Sequence, residues 1–123
     1  MSAPELDIEI CAVNEIHPDQ VSQAQSKALP RRTVDRLARL YSALSDPTRL
    51  RILHALTVVE ELCVCDLAVI TELSVSAVSH QLRLLRDREL VQPRRDGRMV
   101  FYSLVNQHVR DLVSAGVDHA SRA

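Results

Sequence analysis

The sequence predicts a mainly α-helical fold with one β-hairpin, a winged helix-turn-helix completed as a homodimer through its N-terminal and C-terminal helices. Three observations carry this. Apolar residues recur at helical spacing along five segments between residues 31 and 120. Two of those helices are short and joined by a tight turn, and the second turns small polar and basic side chains outward. After it come two strand-like runs around Asp96-Gly97, a dipeptide suited to a two-residue hairpin because both positions tolerate positive φ.

The whole chain sets the bounds. At 123 residues and 46% hydrophobic it builds one modest domain, or a protomer that finishes its core against a copy of itself. No run of about 18 apolar residues is present, so no membrane span is expected. The acidic opening, MSAPELDIEICAVNE, has no apolar stretch long enough for a secretory signal, which points to the cytoplasm and to reduced thiols. Net charge is −1, but its distribution is uneven. Residues 1–20 carry Glu5, Asp7, Glu9, Glu15 and Asp19 with no Lys or Arg. Residues 76–100 carry Arg83, Arg86, Arg88, Arg94, Arg95 and Arg98 against Asp87, Glu89 and Asp96. Such local basicity is what a DNA-facing surface needs.

Taken in order, residues 1–30 show little periodicity, hold Pro4, Pro18 and Pro30, and read as an extended arm with a short helix at 19–28. Residues 31–123 form the domain proper. Val34, Leu37, Ala38, Tyr41 and Leu44 line a helix over 31–44. Ser45-Asp46-Pro47 restarts the chain, with Asp46 as cap and Pro47 at the first helical position. The second helix turns Leu50, Leu53 and Leu56 inward. A third, shorter helix carries Val64, Leu67 and Ala68 and ends near Glu72. Ser74 or Ser76 caps a fourth, SVSAVSHQLRLLRDREL, whose inward stripe is Val78, Leu82 and Leu85. Its opposite side presents Ser76, His80 and Arg83, with Ser79 flanking.

The hairpin LVQPRRDGRMVFYSL gathers Arg94, Arg95 and Arg98 at its tip and forms the wing. A last helix, about 106–120, is expected to bury Val109, Leu112, Val113, Val117 and Ala120, with Gly116 on the same stripe. Glycine within a helix costs about 1 kcal/mol relative to alanine. Its place on the apolar side implies that another backbone comes close, hence a dimer.

Four segments carry a resemblance. ALSDPTRLRIL (43–53), ELCVCDL (61–67), SVSAVSHQLRLLR (74–86) and DGRMVFYSL (96–104) resemble, in order, signatures of the ArsR/SmtB family of metal-responsive winged-helix repressors. The likeness covers about 34–120, and ELCVCDL with the acidic arm is most similar to the cadmium, lead and zinc sensors of the CadC, SmtB and ZiaR type. It implies a homodimer that occupies double-stranded operator DNA without metal and releases it when Zn²⁺, Cd²⁺ or Pb²⁺ binds.

The resemblance also implies site residues. Cys63 and Cys65 become metal ligands. Residues two apart on a regular helix point roughly 200° away from each other, so both can reach one ion only if Cys63 sits in the extended lead-in and Cys65 in the first turn. The alternative is two small buried apolar residues. Two thiolates do not complete a tetrahedral site. In the resembling sensors an N-terminal arm supplies the rest, which here implies Cys11 and His17, the latter against a solvated surface histidine. A second site on the final helix is implied by His108 and His119. Eleven residues separate them by about 16 Å along the axis, so His108 would meet the partner's equivalent of His119 across an antiparallel pair. The family's two acidic positions read Asn106 and Arg122 here, and Asp111 is the substitute carboxylate; the alternative is a pair of interface hydrogen bonders. For DNA, the resemblance carries Ser76, Ser79, His80 and Arg83 to the major groove, and Arg94, Arg95 and Arg98 of the wing to phosphate or the minor groove.

Rival readings use the same residues. Arsenite or antimonite takes three thiolates, with Cys11 as the third. A thiol-redox regulator on this fold would use the cysteines against oxidants. An enzyme is not expected: the motif is not Cys-x-x-Cys, and no Ser/His/Asp set or Gly-rich phosphate loop appears.

Overall fold

A computed structural model describes residue 12 and residues 15–122 of the chain. It divides into two compact units, residues 1–34 and 35–123. In the first, α1 (Pro18–Ser26) begins on Pro18, whose missing N–H is harmless at a first helical position, and buries none of its residues. Next comes α2 (Arg31–Leu44), at the bounds its periodicity predicts.

The second unit continues with α3 (Pro47–Val58), β1 (Leu62–Cys63), α4 (Val64–Thr71), α5 (Val75–Asp87), β2 (Val91–Asp96), β3 (Met99–Leu104) and α6 (Gln107–Ser121). Local chemistry fixes the helix starts. The Asp46 carboxylate accepts from Arg49 N–H at 3.0 Å, the Ser74 hydroxyl from Ala77 N–H at 3.0 Å, and the Asn106 side-chain oxygen from Val109 N–H at 3.0 Å. Ser74, rather than Ser76, is therefore the cap of α5. Both α4 and α5 stop on a glutamate in the left-handed region, Glu72 at φ 59° and Glu89 at φ 62°. Each is closed by the next residue's N–H: Leu73 to Ala68 O at 3.1 Å, Leu90 to Leu85 O at 2.9 Å.

The core is one cluster built from Ile52, Leu53 and Leu56 of α3, Leu67 of α4, Val78, Leu82 and Leu85 of α5, and Leu90, Val91, Leu104, Val109 and Val113. Two expectations about facing residues are corrected, on α3 and on α2. On α3, Leu50 is 40% exposed and Ile52 takes its place. The inward line runs 49, 52, 53, 56, and Leu50 stands about 100° off it. On α2, Ala43 is buried with Leu40 and Leu44 beside it, whereas Ala38 and Tyr41 are exposed. On α6, Val109 and Val113 are buried and Leu112 half-buried, but Gly116, Val117 and Ala120 are exposed on their own chain. A Cβ added at Gly116 meets nothing within 4 Å.

The sheet is antiparallel with order β1-β3-β2. Registered pairs include Leu62 with Tyr102, Cys63 with Phe101, and Arg94 with Phe101. Asp96 pairs with Met99, so the hairpin's central residues are Gly97 and Arg98, one step later than expected. Only Gly97, at φ +62°, is left-handed there, the pattern of a turn with glycine first. No helix among the described residues is long and apolar enough to cross a membrane.

Candidate nucleic-acid interface and thiol site

Two short helices, α4 and α5, meet at the Glu72 turn, and α5 sends Val78, Leu82 and Leu85 into the core. That choice leaves Ser76, His80 and Arg83 exposed on the other side, with Ser79 half-buried at the flank. The expected groove-reading surface is thus presented to solvent on a helix whose cap, buried stripe and C-terminal closure are all satisfied internally. Arg95 and Arg98 are exposed on the hairpin, and no hydrogen-bond or ion-pair partner of either guanidinium occurs among the described residues.

Arg94 behaves differently. Its Nε and one terminal nitrogen donate to the two Glu61 carboxylate oxygens, each at 2.8 Å. Its guanidinium also lies 5.0 Å from the centroid of Phe101. The hydrogen bond from Arg94 holds the Glu61 carboxyl below the usual glutamate range, and the same bond raises the guanidinium pKa. Sequence reasoning missed Glu61. Its signal, a carboxylate two residues before Cys63, acquires meaning only once β1 is known to join the wing sheet.

The cysteines sit at the start of α4. Cys63 is the N-cap, extended at φ −83° and ψ 170°, and Cys65 is the second helical residue. This is the lead-in and first-turn arrangement that two donors spaced by one residue need in order to share an ion. Asp66 completes a capping box by accepting from Cys63 N–H at 3.2 Å, which fixes the lead-in. Cys63 is buried and Cys65 exposed. The site can therefore be approached from the Cys65 side. As a donor set, two sulfurs suit a soft cation. Two donors are half of what a four-coordinate ion needs. Among the described residues no three of His, Cys, Asp and Glu gather as a metal site. Cys11 lies outside the described residues; His17 is the exposed N-cap of α1.

On α6, His108, Asp111 and His119 are all exposed. Asp111 accepts from Gln107 Nε2 at 2.8 Å, and Arg122 pairs with Asp118 at 3.1 Å. Asn106 is the cap of this helix.

Comparison with known proteins agrees with this architecture. Residues 46–92, from the cap of α3 to the start of β2, match the profile of the bacterial regulatory protein, arsR family. The chain is 45% identical over 113 residues to a transcriptional repressor SmtB homolog of Synechocystis, covering 92% of this chain and 85% of that one. It is 40% identical over 111 residues to a cadmium resistance transcriptional regulatory protein CadC homolog of Staphylococcus aureus, covering 90% and 91%. Among solved structures, the AntR antimony-specific transcriptional repressor superposes with a TM-score of 0.70 at 31% identity, covering 82% of this chain and 95% of that one. By fold and by sequence, the chain belongs to the arsR family of bacterial regulatory proteins, winged helix-turn-helix transcriptional regulators.

Proposed function

We propose that this protein is a metal-sensing transcriptional repressor: a homodimer that binds operator DNA when metal-free and dissociates when zinc, cadmium or lead is gripped by cysteine thiolates. One observation carries the reading, the split position of Cys63 at the N-cap and Cys65 in the first turn of α4. That helix is the first of the helix-turn-helix, so ions held there act on the element that carries α5 to DNA. Cys11 and His17 of the arm complete the ligand set. Likeness to the cadmium-resistance regulator supports a soft divalent ion. The exposed apolar positions Tyr41 on α2 and Val117 on α6 support a dimer formed through these two helices.

The mechanism is a linkage. Metal stabilises a dimer geometry in which the two α5 helices no longer fit successive major grooves, and bound DNA weakens metal binding by the same factor. Taking an operator from 99% to 1% occupancy at fixed protein concentration requires about 5.5 kcal/mol of coupling. The released genes encode metal efflux or sequestration.

A second reading has support in the likeness to the antimony-specific repressor: Cys11, Cys63 and Cys65 bind a trivalent arsenic or antimony species. Operator binding by fluorescence anisotropy separates the two, with titrations of cadmium, lead, zinc, arsenite and antimonite on the intact chain, Cys11→Ser and Cys63→Ser. Tight metal-free binding, with release by divalent ions that both substitutions abolish, is the expected result. Operator affinity indifferent to every one of these ions refutes metal sensing.

A further inference from the structure

The wing and the thiol site belong to one hydrogen-bonded sheet. Cys63 is registered opposite Phe101 on β3, and Phe101 is registered opposite Arg94 on β2. Residues directly opposite one another in a sheet share a face, so the three form a single cross-strand row. The Arg94 guanidinium lies over the Phe101 ring and reaches back to Glu61, two residues before Cys63, through two 2.8 Å hydrogen bonds. Glu61, Cys63, Phe101 and Arg94 therefore close a loop that spans from the cysteine segment to the hairpin, two registered pairs short of its turn. Its far end carries Arg95 and Arg98, the exposed basic residues of the wing.

A lone surface ion pair contributes little to stability, typically under about 1 kcal/mol. This one is unusual in being bidentate, which fixes orientation as well as distance. β1 is only two residues long and ends on a cysteine that is also a helix cap. With only Leu62 and Cys63 registered on β3, the Glu61–Arg94 fork adds a direct tie from the cysteine segment to β2.

We propose that Glu61 and Arg94 are positioning residues of the repressor, the link by which metal at Cys63 and Cys65 re-aims the wing and lowers operator affinity. This rests on the metal-sensing reading above. In it Glu61 touches neither metal nor DNA, and acts by holding Arg94.

The test is a double-mutant cycle on the full-length protein, with Glu61→Gln, Arg94→Gln and the pair combined. Three quantities are read: cadmium affinity from thiolate-to-metal charge-transfer absorbance, operator Kd with and without cadmium, and amide NMR shifts of Arg95 and Arg98 on cadmium addition. Expected are unchanged cadmium affinity in Glu61→Gln, and a ratio of the two operator Kd values reduced about tenfold by either single substitution. The double substitution reduces it no further, because both remove one link. The Arg95 and Arg98 amides shift on cadmium binding in the wild type and stay in place in Glu61→Gln. A Glu61→Arg, Arg94→Glu exchange restores the ratio in part, which also controls for a variant that folds poorly. Release in the wild type with an unaltered ratio in Glu61→Gln overturns the link alone. Loss of cadmium affinity in Glu61→Gln overturns it too, by making Glu61 part of the metal site. A wild-type protein whose operator affinity ignores cadmium overturns both the link and the reading beneath it.

Discussion

The Arg49 side chain of α3 donates from Nε to the carbonyl oxygen of Ala43 at 2.8 Å, so a cation sits against the C-terminal end of α2. The same device recurs twice. Arg51 donates to Ile70 O and Thr71 O at 3.2 and 3.4 Å, at the end of α4. Arg110 donates to Leu56 O and Thr57 O at 3.2 and 2.8 Å, at the end of α3. Positive charge at a helix C-terminus and charge-assisted bonds to otherwise unpaired carbonyls together contribute about 1–2 kcal/mol. Arg110→Ala is therefore expected to lower unfolding stability by about that amount, read from urea midpoints. The salt dependence of operator binding by the folded protein stays as in the wild type.

The opposite split is expected for Arg83, Arg95 and Arg98, which are exposed. Alanine at any one of them leaves the unfolding free energy, read from urea midpoints, within about 0.5 kcal/mol of wild type. Where the arginine meets a phosphate, the slope of log K against log salt becomes shallower by about 0.9. Where it meets a base edge, the slope changes less and discrimination against the wrong base pair drops by about 1–3 kcal/mol. Anisotropy titrations at several salt concentrations, on operator and on scrambled DNA, separate the two for each residue.

Most of the scaffold was legible in the sequence because it rests on local signals. Asp46-Pro47 announces a helix start, the spacing of Val78, Leu82 and Leu85 gives α5 its buried face, and Asp96-Gly97 announces a hairpin. The turn moved by one residue because glycine alone takes the left-handed position and Arg98 follows it with negative φ. Leu50 fits the pattern because leucines spaced by three also satisfy a helical stripe, and only packing selects the line through Ile52 and Leu53. The tie between Arg94 and Glu61 was not legible at all. It depends on a two-residue strand joining β3, a pairing over about 40 residues that no local pattern encodes.

Glu89 occupies a conformation that favours glycine, φ 62° with a Cβ attached. A non-glycine residue there costs about 1 kcal/mol, part of which glycine returns through its freer unfolded chain. Glu89→Gly is expected to raise the melting temperature by roughly 2–5 °C at fixed protein concentration. Glu89→Ala, which keeps the Cβ, gives no such gain. Calorimetry on the two variants decides whether the left-handed turn after α5 carries this cost.

Acid should act on the wing through Glu61. Its carboxyl titrates below the ordinary glutamate value of 4.5 in the folded protein because Arg94 donates to the charged form. The pair's contribution is therefore complete above that ordinary value and is lost as the pH falls through the lower folded one, because the unfolded chain takes up the proton first. A carbon-13 titration of the Glu61 carboxyl is expected to show an inflection below that of an exposed glutamate. Arg94→Gln returns it upward. An inflection at the ordinary value in the wild type means that the fork is open in solution.

Gly116 and Val117 decide how α6 is used. A Cβ at Gly116 meets open space within its own chain, and Val117 is 40% exposed beside it. Were this face solvated, any helix-favouring residue at 116 would stabilise the protein by up to about 1 kcal/mol, since alanine exceeds glycine by that margin in helix propensity. If a second copy packs against it, bulk and charge there separate the subunits. Gly116→Leu and Val117→Asp are expected to shift sedimentation velocity profiles from dimer toward monomer, with melting temperatures that fall as protein concentration is lowered. Gly116→Leu that stays dimeric and melts higher than the wild type assigns the glycine to an open surface, and moves the dimer contact to the exposed side of α2 around Ala38 and Tyr41.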